Sequence, residues 1–239
     1  MTQFIKKAFP NVFRFVEGNY NLLLMFLVLL FILRPYDYAN AYVVFWKILF
    51  VSTIIFAVFN GNHPKNLRII IFLLGIPAVL STFVNVLHSS PLAITATTAS
   101  TILFLAVCAG SILRDVIVKA RVTLETLRGA VCTYFLIAFL FAYIYLFLET
   151  LNPGTILIRG EVYPVFPKIY YFYSEMLYYS FVTLLTIGFG DIVSNKDLGQ
   201  TATVVEGILG QLYIAILISR LVAVYSFISN KEFIKSLKE

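Results

Sequence analysis

The residues of this chain best placed to do chemistry lie in one run, Thr183-Leu184-Leu185-Thr186-Ile187-Gly188-Phe189-Gly190-Asp191. It reads as a helix end, a strand-like piece with two glycines, and an acid. Alternating glycines tolerate backbone angles that other residues resist. With such angles, successive carbonyls can all face one way, and a ring of carbonyls around an axis can replace the water shell of a potassium ion. Gly-Phe-Gly-Asp by itself is also a common turn, in which Asp191 would merely cap a helix. The setting favours the ion path. Threonines stand at 183 and 186, the preceding run Ile169 to Val182 is rich in Tyr and Phe, and a long apolar segment, Thr201 to Ser229, follows.

The elements that must hold this run in place are apolar. The 239 residues are 60% hydrophobic and 13% charged, with a mean hydropathy of +0.91. Soluble domains are about half apolar and about a quarter charged, so this composition is that of an integral membrane protein. The net charge of +6 is spread over span ends, without the aromatic-interleaved basic patch of a nucleic-acid binder. Cys108 and Cys132 fall in apolar runs and read as packing residues. His63 and His88 lie singly in or beside turns. No Ser/His/Asp or metal-ligand cluster appears, so we expect no enzyme, no cofactor and no small-molecule substrate.

The apolar runs give a span count. Residues 1–20 form a rough amphipathic stripe broken at Pro10, expected to lie at the membrane surface or to remain a tail. The run Leu22 to Leu33 is short and is followed by Ala39-Asn40-Ala41, which resembles a cleavage site. A first span anchored by Tyr20 and Tyr36 is the better reading. Further spans are expected at Ala41 to Phe59, Ile69 to Leu87 (bent near Gly75-Ile76-Pro77), Leu92 to Leu113, Gly129 to Leu148 and Thr201 to Ser229. Polar turns fall at residues 60–64 and 88–91, and a polar, helix-compatible linker runs from Arg114 to Arg128. This divides the chain into an interfacial segment (1–20), a four-helix membrane domain with its linker (21–128), a pore domain (129–229) and a short cytoplasmic tail (230–239).

Ile169 to Ile187 is 19 residues long, enough to pass for a seventh crossing. Charge argues against that. With six crossings, Arg34, Arg159, Lys168 and Lys196 lie outside, Lys47 within a span, and the other 13 of the 18 basic residues inside. A seventh crossing would move the C-terminal cations outside and spoil the positive-inside bias. A half-membrane helix with a returning segment is therefore expected. Non-helical backbone at that depth is tolerated only when enclosed by protein or lining a water-filled path.

Between an apolar helix and a final span, TIGFGD resembles the selectivity filter of the potassium channel family. The resemblance is specific over roughly residues 170–229; ahead of residue 128 it is only a span count. It implies an all-α membrane protein of six transmembrane helices plus a re-entrant pore helix (Tyr170 to Leu185) and filter loop, assembled as a homotetramer in the cell membrane with both termini cytoplasmic. The backbone carbonyls of Thr186, Ile187, Gly188 and Phe189, with the Thr186 hydroxyl, would bind K+. Gly190 would shape the filter, and Asp191 would gather cations at the outer mouth. Gly210, 19 residues after Asp191, stands where the family carries a gating hinge, and close packing on the pore helix would equally explain a glycine there. Ile214 and Ile218 would face the cavity, with Gln211 beside them, and Val222 the inner gate. Tyr178, Tyr179 and Phe181 would form a cuff around the filter, with plain core or lipid contact as the competing reading. Glu206, ionisable within a span, is expected to bond behind the filter. Two departures stand out: Phe189 replaces the usual Tyr and removes a hydroxyl, and Leu185 replaces a frequent Thr.

Leu92 to Leu113 contains no Arg or Lys. A charge crossing the membrane is worth about 2.3 kcal/mol per 100 mV, so steep voltage gating is not expected. The alternatives are a non-selective monovalent cation channel on the same fold and a six-span secondary transporter. The transporter would need polar sites on broken helices in two related halves, and no such pairing is visible.

Overall fold

A computed structural model of the chain describes residues 20–34, 45–46, 48–53, 69–79, 91–118, 123–165 and 169–236. Within these, the side chains of 91–93, 124, 170, 218, 221–222 and 224–236 lie outside the description. The expected surface segment before Tyr20, the polar turn 60–64, residues 88–90 of the second turn and the last three residues of the tail likewise lie outside it, as does much of the expected second span.

The described chain is mostly helical. Helix α1 is Asn21–Ile32, α2 is Ile69–Val79, α3 is Pro91–Val118 and α4 is Leu124–Leu151. After α4 come strands β1 (Ile156–Ile158) and β2 (Glu161–Val162), helix α5 (Ile169–Leu184), strand β3 (Ile192–Ser194) and helix α6 (Asp197–Ser236). Residues 45, 46 and 48–53 are helical as well. Among the described residues, three helices are long and apolar enough to cross a membrane: Ile94–Val118, Glu125–Leu151 and Asp197–Leu217.

The linker expected between Arg114 and Arg128 is mostly helix: Arg114 to Val118 extends α3, and Leu124 opens α4. Thr123 caps α4. Its hydroxyl accepts from the Thr126 amide at 3.3 Å, and the Thr126 hydroxyl accepts from the Thr123 amide at 3.4 Å. That reciprocal box satisfies amides which a helix start leaves unpaired. The core runs between α1, α3, α4 and α5 and is aromatic. Phe181 of α5 meets Phe31 at 4.4 Å and Phe135 at 5.3 Å between ring centres, and Trp46 meets Tyr173 at 5.4 Å. Cys108 and Cys132 are buried free thiols, in keeping with packing roles.

The three strands form one small antiparallel sheet in the order β2-β1-β3. β1 and β2 are joined by Arg159 and Gly160 alone, both with positive φ (53° and 83°), the geometry of a two-residue hairpin turn. β1 leaves α4 and β3 enters α6, and their register pairs Ile156 with Ser194 and Ile158 with Ile192. The end of α4 and the start of α6 therefore lie side by side, and everything between must go out and come back.

That pairing bears on the course of Ile169 to Ile187. α5 has 16 residues, about 24 Å at 1.5 Å per residue, and falls short of the roughly 30 Å hydrocarbon core. The return from Leu185 to Asp191, at no more than about 3.5 Å per residue, covers a similar length. Ile169 to Ile187 is thus a helix shorter than the hydrocarbon core, followed by a returning segment.

Candidate functional site

The return is built on alternating backbone signs. Thr186 (φ 57°), Gly188 (φ 60°) and Gly190 (φ 80°) are left-handed, whereas Ile187 and Phe189 between them are not. The glycines take this conformation freely; Thr186 takes it against its own preference. A backbone that alternates in this way sends its N–H groups to one side and its carbonyls to the other. The N–H groups turn back onto α5: Ile187 donates to the Val182 carbonyl at 2.9 Å and Gly188 to the same oxygen at 3.4 Å, while Thr186 donates to Thr183 at 2.9 Å. Among the described residues, the carbonyls of Thr186, Ile187, Gly188 and Phe189 accept no hydrogen bond. All four residues are exposed in the single chain, Phe189 at 68%. Four successive carbonyls without a hydrogen-bond donor thus stand on the open side of the turn.

The end of α5 is fixed independently. The Leu184 carbonyl accepts the Tyr134 hydroxyl of α4 at 3.0 Å. Gly210 of α6 lies on the same carbonyl: a Cβ there would overlap the Leu184 oxygen and stand 3.1 Å from Leu184 C and Cδ1. This close approach accounts for the glycine at 210, and α6 is continuous through it. One residue on, Gln211 Nε2 donates to the Thr186 hydroxyl at 3.1 Å. Ile214 is half-buried, and the side chains of Ile218 and Val222 lie outside the described residues.

The outer end is tied by side chains from α5 and by the sheet. Tyr178 donates its hydroxyl to Asp191 Oδ2 at 3.0 Å. Arg34 stacks its guanidinium over the Tyr178 ring at 5.3 Å, and the Arg159 amide donates to the Asp191 carbonyl at 2.6 Å. Tyr179 shares hydrogen bonds with Ser194 (3.1 Å) and Thr203 (2.9 Å), joining α5 to β3 and α6. Glu149, buried in the last turn of α4, accepts the amides of Gly154 (2.6 Å) and Ile156 (2.9 Å), and so anchors β1. The Arg159 guanidinium is held more firmly charged than usual, first by its hydrogen bond to the Tyr171 hydroxyl and then by the nearby Glu175 carboxylate.

Tyr178 and Tyr179 therefore reach the residues that follow the filter stretch. Phe181 does not: it points into the core against Phe31, Phe135 and Phe139, which corrects its expected place in the cuff. Glu206 is fully buried between three helices. It accepts the Tyr145 hydroxyl at 2.5 Å and is bonded to Ser180 of α5, whose hydroxyl also reaches the Ala138 carbonyl at 2.8 Å. Tyr134 and Glu149 were not singled out from sequence, and Arg159 only as an outer charge. Nothing local marks them, since each acts on a partner brought near by the fold.

A short helix and a returning segment with its carbonyls free are held between two helices long and apolar enough to cross a membrane. Residues 133–227 match a family model described as "Ion channel", and the matched range takes in most of α4, all of α5, the return and α6 as far as Phe227. No curated protein and no solved structure matches the chain. The second half of the chain is thus similar to an ion-channel domain.

Proposed function

We propose that the chain is one subunit of a homotetrameric, potassium-selective channel that conducts K+ passively across the cell membrane, with both termini cytoplasmic and no steep voltage gating. The observation that carries this reading is the run of four unpaired carbonyls, Thr186 to Phe189, whose N–H groups are turned back onto α5. One chain supplies one wall of such a path. Four walls around an axis would give stacked oxygen cages that replace a potassium ion's hydration shell. The exposed apolar face of α6, with Val204, Ile208, Leu212 and Ile216, is the natural surface for neighbouring copies and lipid. The C-terminal end of α5 would turn its partial negative charge toward a cation waiting beneath the filter. Asp191 would sit at the outer mouth, with Tyr178 replacing the filter-to-cuff tie that Phe189 cannot make. Gly210 would combine its packing on Leu184 with bending during gating, and Ile214, Ile218 and Val222 would line the path below.

The test is bi-ionic recording of the purified protein in planar bilayers. Potassium selectivity predicts a reversal potential corresponding to at least about tenfold preference for K+ over Na+, or about 1.4 kcal/mol of discrimination. Equal permeability would establish the non-selective alternative, and the absence of unitary currents would remove the channel reading.

A further inference from the structure

We propose that Gln211 is a specificity-determining residue, which places a ring of carboxamide oxygens at the inner end of the filter as a site for a partly dehydrated, potassium-sized monovalent cation. The inference rests on the tetrameric pore proposed above and adds a ligand set below the four backbone carbonyls.

A hydroxyl has one hydrogen to give and two lone pairs. The Thr186 hydroxyl lies 2.7 Å from the Leu185 carbonyl oxygen, which can only accept, so its hydrogen is committed there. The Gln211 atom 3.1 Å from the same hydroxyl must then be the donor, which fixes the carboxamide with Nε2 on Thr186. Reversing the amide would set Oε1 against an oxygen with no hydrogen left to share. Gln211 Oε1 is therefore the free end, and it accepts no hydrogen bond among the described residues. Thr186 keeps one unused lone pair.

Position supports the same reading. Gly210 brings α6 into contact with the Leu184 carbonyl, so the next side chain necessarily reaches across the root of the filter. Gln211 and Thr186 are both exposed in the single subunit, on the side where the free carbonyls begin. Around a four-fold axis, the hydroxyl oxygens of Thr186 and the Oε1 atoms of Gln211 would form two neutral oxygen layers. Neutral, weak-field oxygens can replace the loosely held water of a large alkali cation and compete poorly for the tightly held water of a small one. The Nε2 bond also holds Thr186 in its left-handed conformation, which a threonine does not favour unaided.

The experiment compares wild type, Gln211→Leu and Gln211→Glu in bilayers, reading K+/Na+ reversal potentials and block by internal barium, a divalent ion close to potassium in size. Leu removes both the donor and the free oxygen. Glu keeps the shape, loses the donor and adds a charge. Expected are a rise of about tenfold in the half-blocking barium concentration for Leu, with reduced K+/Na+ discrimination, and a fall of about tenfold for Glu. Size-exclusion chromatography checks assembly, and if Gln211→Leu does not assemble, the isosteric Glu variant carries the test. A selective wild type whose assembled variants keep their block and reversal potential within about twofold would overturn this assignment alone. A wild type without potassium selectivity would overturn the proposed function and this assignment with it.

Discussion

Replacing Glu206 tests whether charge or hydrogen bonding joins α4, α5 and α6. Its carboxyl, Tyr145 and Ser180 are all closed to solvent. Tyr145 gives its hydrogen to Oε2, while Ser180 has one hydrogen and two oxygens within reach, Ala138 O and Glu206 Oε1. Glu206→Gln resolves this shortage. The amide oxygen accepts from Tyr145, the NH2 donates to Ser180, and the Ser180 hydrogen goes to Ala138. A protein held here by hydrogen bonds should stay within about 1 kcal/mol of wild type after this change. Glu206→Leu fills similar space but strands the Tyr145 hydroxyl. Orphaning a buried donor costs roughly 1–3 kcal/mol. At roughly 2–4 °C per kcal/mol for a chain of this size, Leu should lower the midpoint of thermal unfolding by several degrees, whereas Gln should hardly move it. The assay is fluorescence-detected size-exclusion after heating, in detergent, with potassium flux measured on the same preparations. Because Ser180 belongs to α5, the Leu variant should also lose selectivity. A Gln variant as unstable as the Leu variant would refute the reasoning, since it would mean that a full carboxylate charge holds the junction.

Gly210→Ala should be the more damaging of the two glycine substitutions in α6, because its methyl group meets the Leu184 carbonyl, and overpacking of that kind costs roughly 1–3 kcal/mol. Gly207→Ala has open space within the subunit and should be tolerated there, so equal losses of tetramer on heating would contradict the packing assignment. A Gly210→Ala protein of unchanged stability that opens less often would instead favour the hinge. Tyr178→Phe removes only the bond to Asp191, about 0.5–1.5 kcal/mol, and should speed the decay of potassium current at the outer mouth several-fold in patch recordings. An unchanged time course would show that Asp191 is held by the Arg159 amide alone.

The returning segment was legible in the sequence because its backbone geometry is local. Glycines at 188 and 190 set the backbone signs around them, and the apolar lengths on either side set the membrane context. The expected pore helix, Tyr170 to Leu185, differs from Ile169–Leu184 by one residue at each end, and the span Gly129 to Leu148 falls within Leu124–Leu151. The supports were not legible because they are made at a distance. Tyr134 reaches Leu184 across 50 positions, and Lys196 reaches Asn152 across 44. β1 and β3 are three residues each, too short to show a period of two, and the stretch that holds β1 looks from its Pro and Gly like an ordinary loop. Phe181 was misplaced for the same reason: a helix of aromatic residues has several faces that could serve as a cuff, and only the positions of Phe31 and Phe135 choose among them.

The distinction between local and distant bears on mechanism. Thr186 is the one residue of the return that is neither glycine nor at ease with its left-handed backbone, and its flanking contacts come from different elements: Thr183 on α5 and Gln211 on α6. Two residues earlier, the Leu184 carbonyl is held by α4 through Tyr134 and covered by α6 at Gly210. Any shift of α6 along this contact must therefore change the support of the first free carbonyl before it reaches the others. Opening at the inner end of α6 and ion binding at the root of the filter would then be coupled through direct contact at residues 210 and 211, without a relay through the front half of the chain.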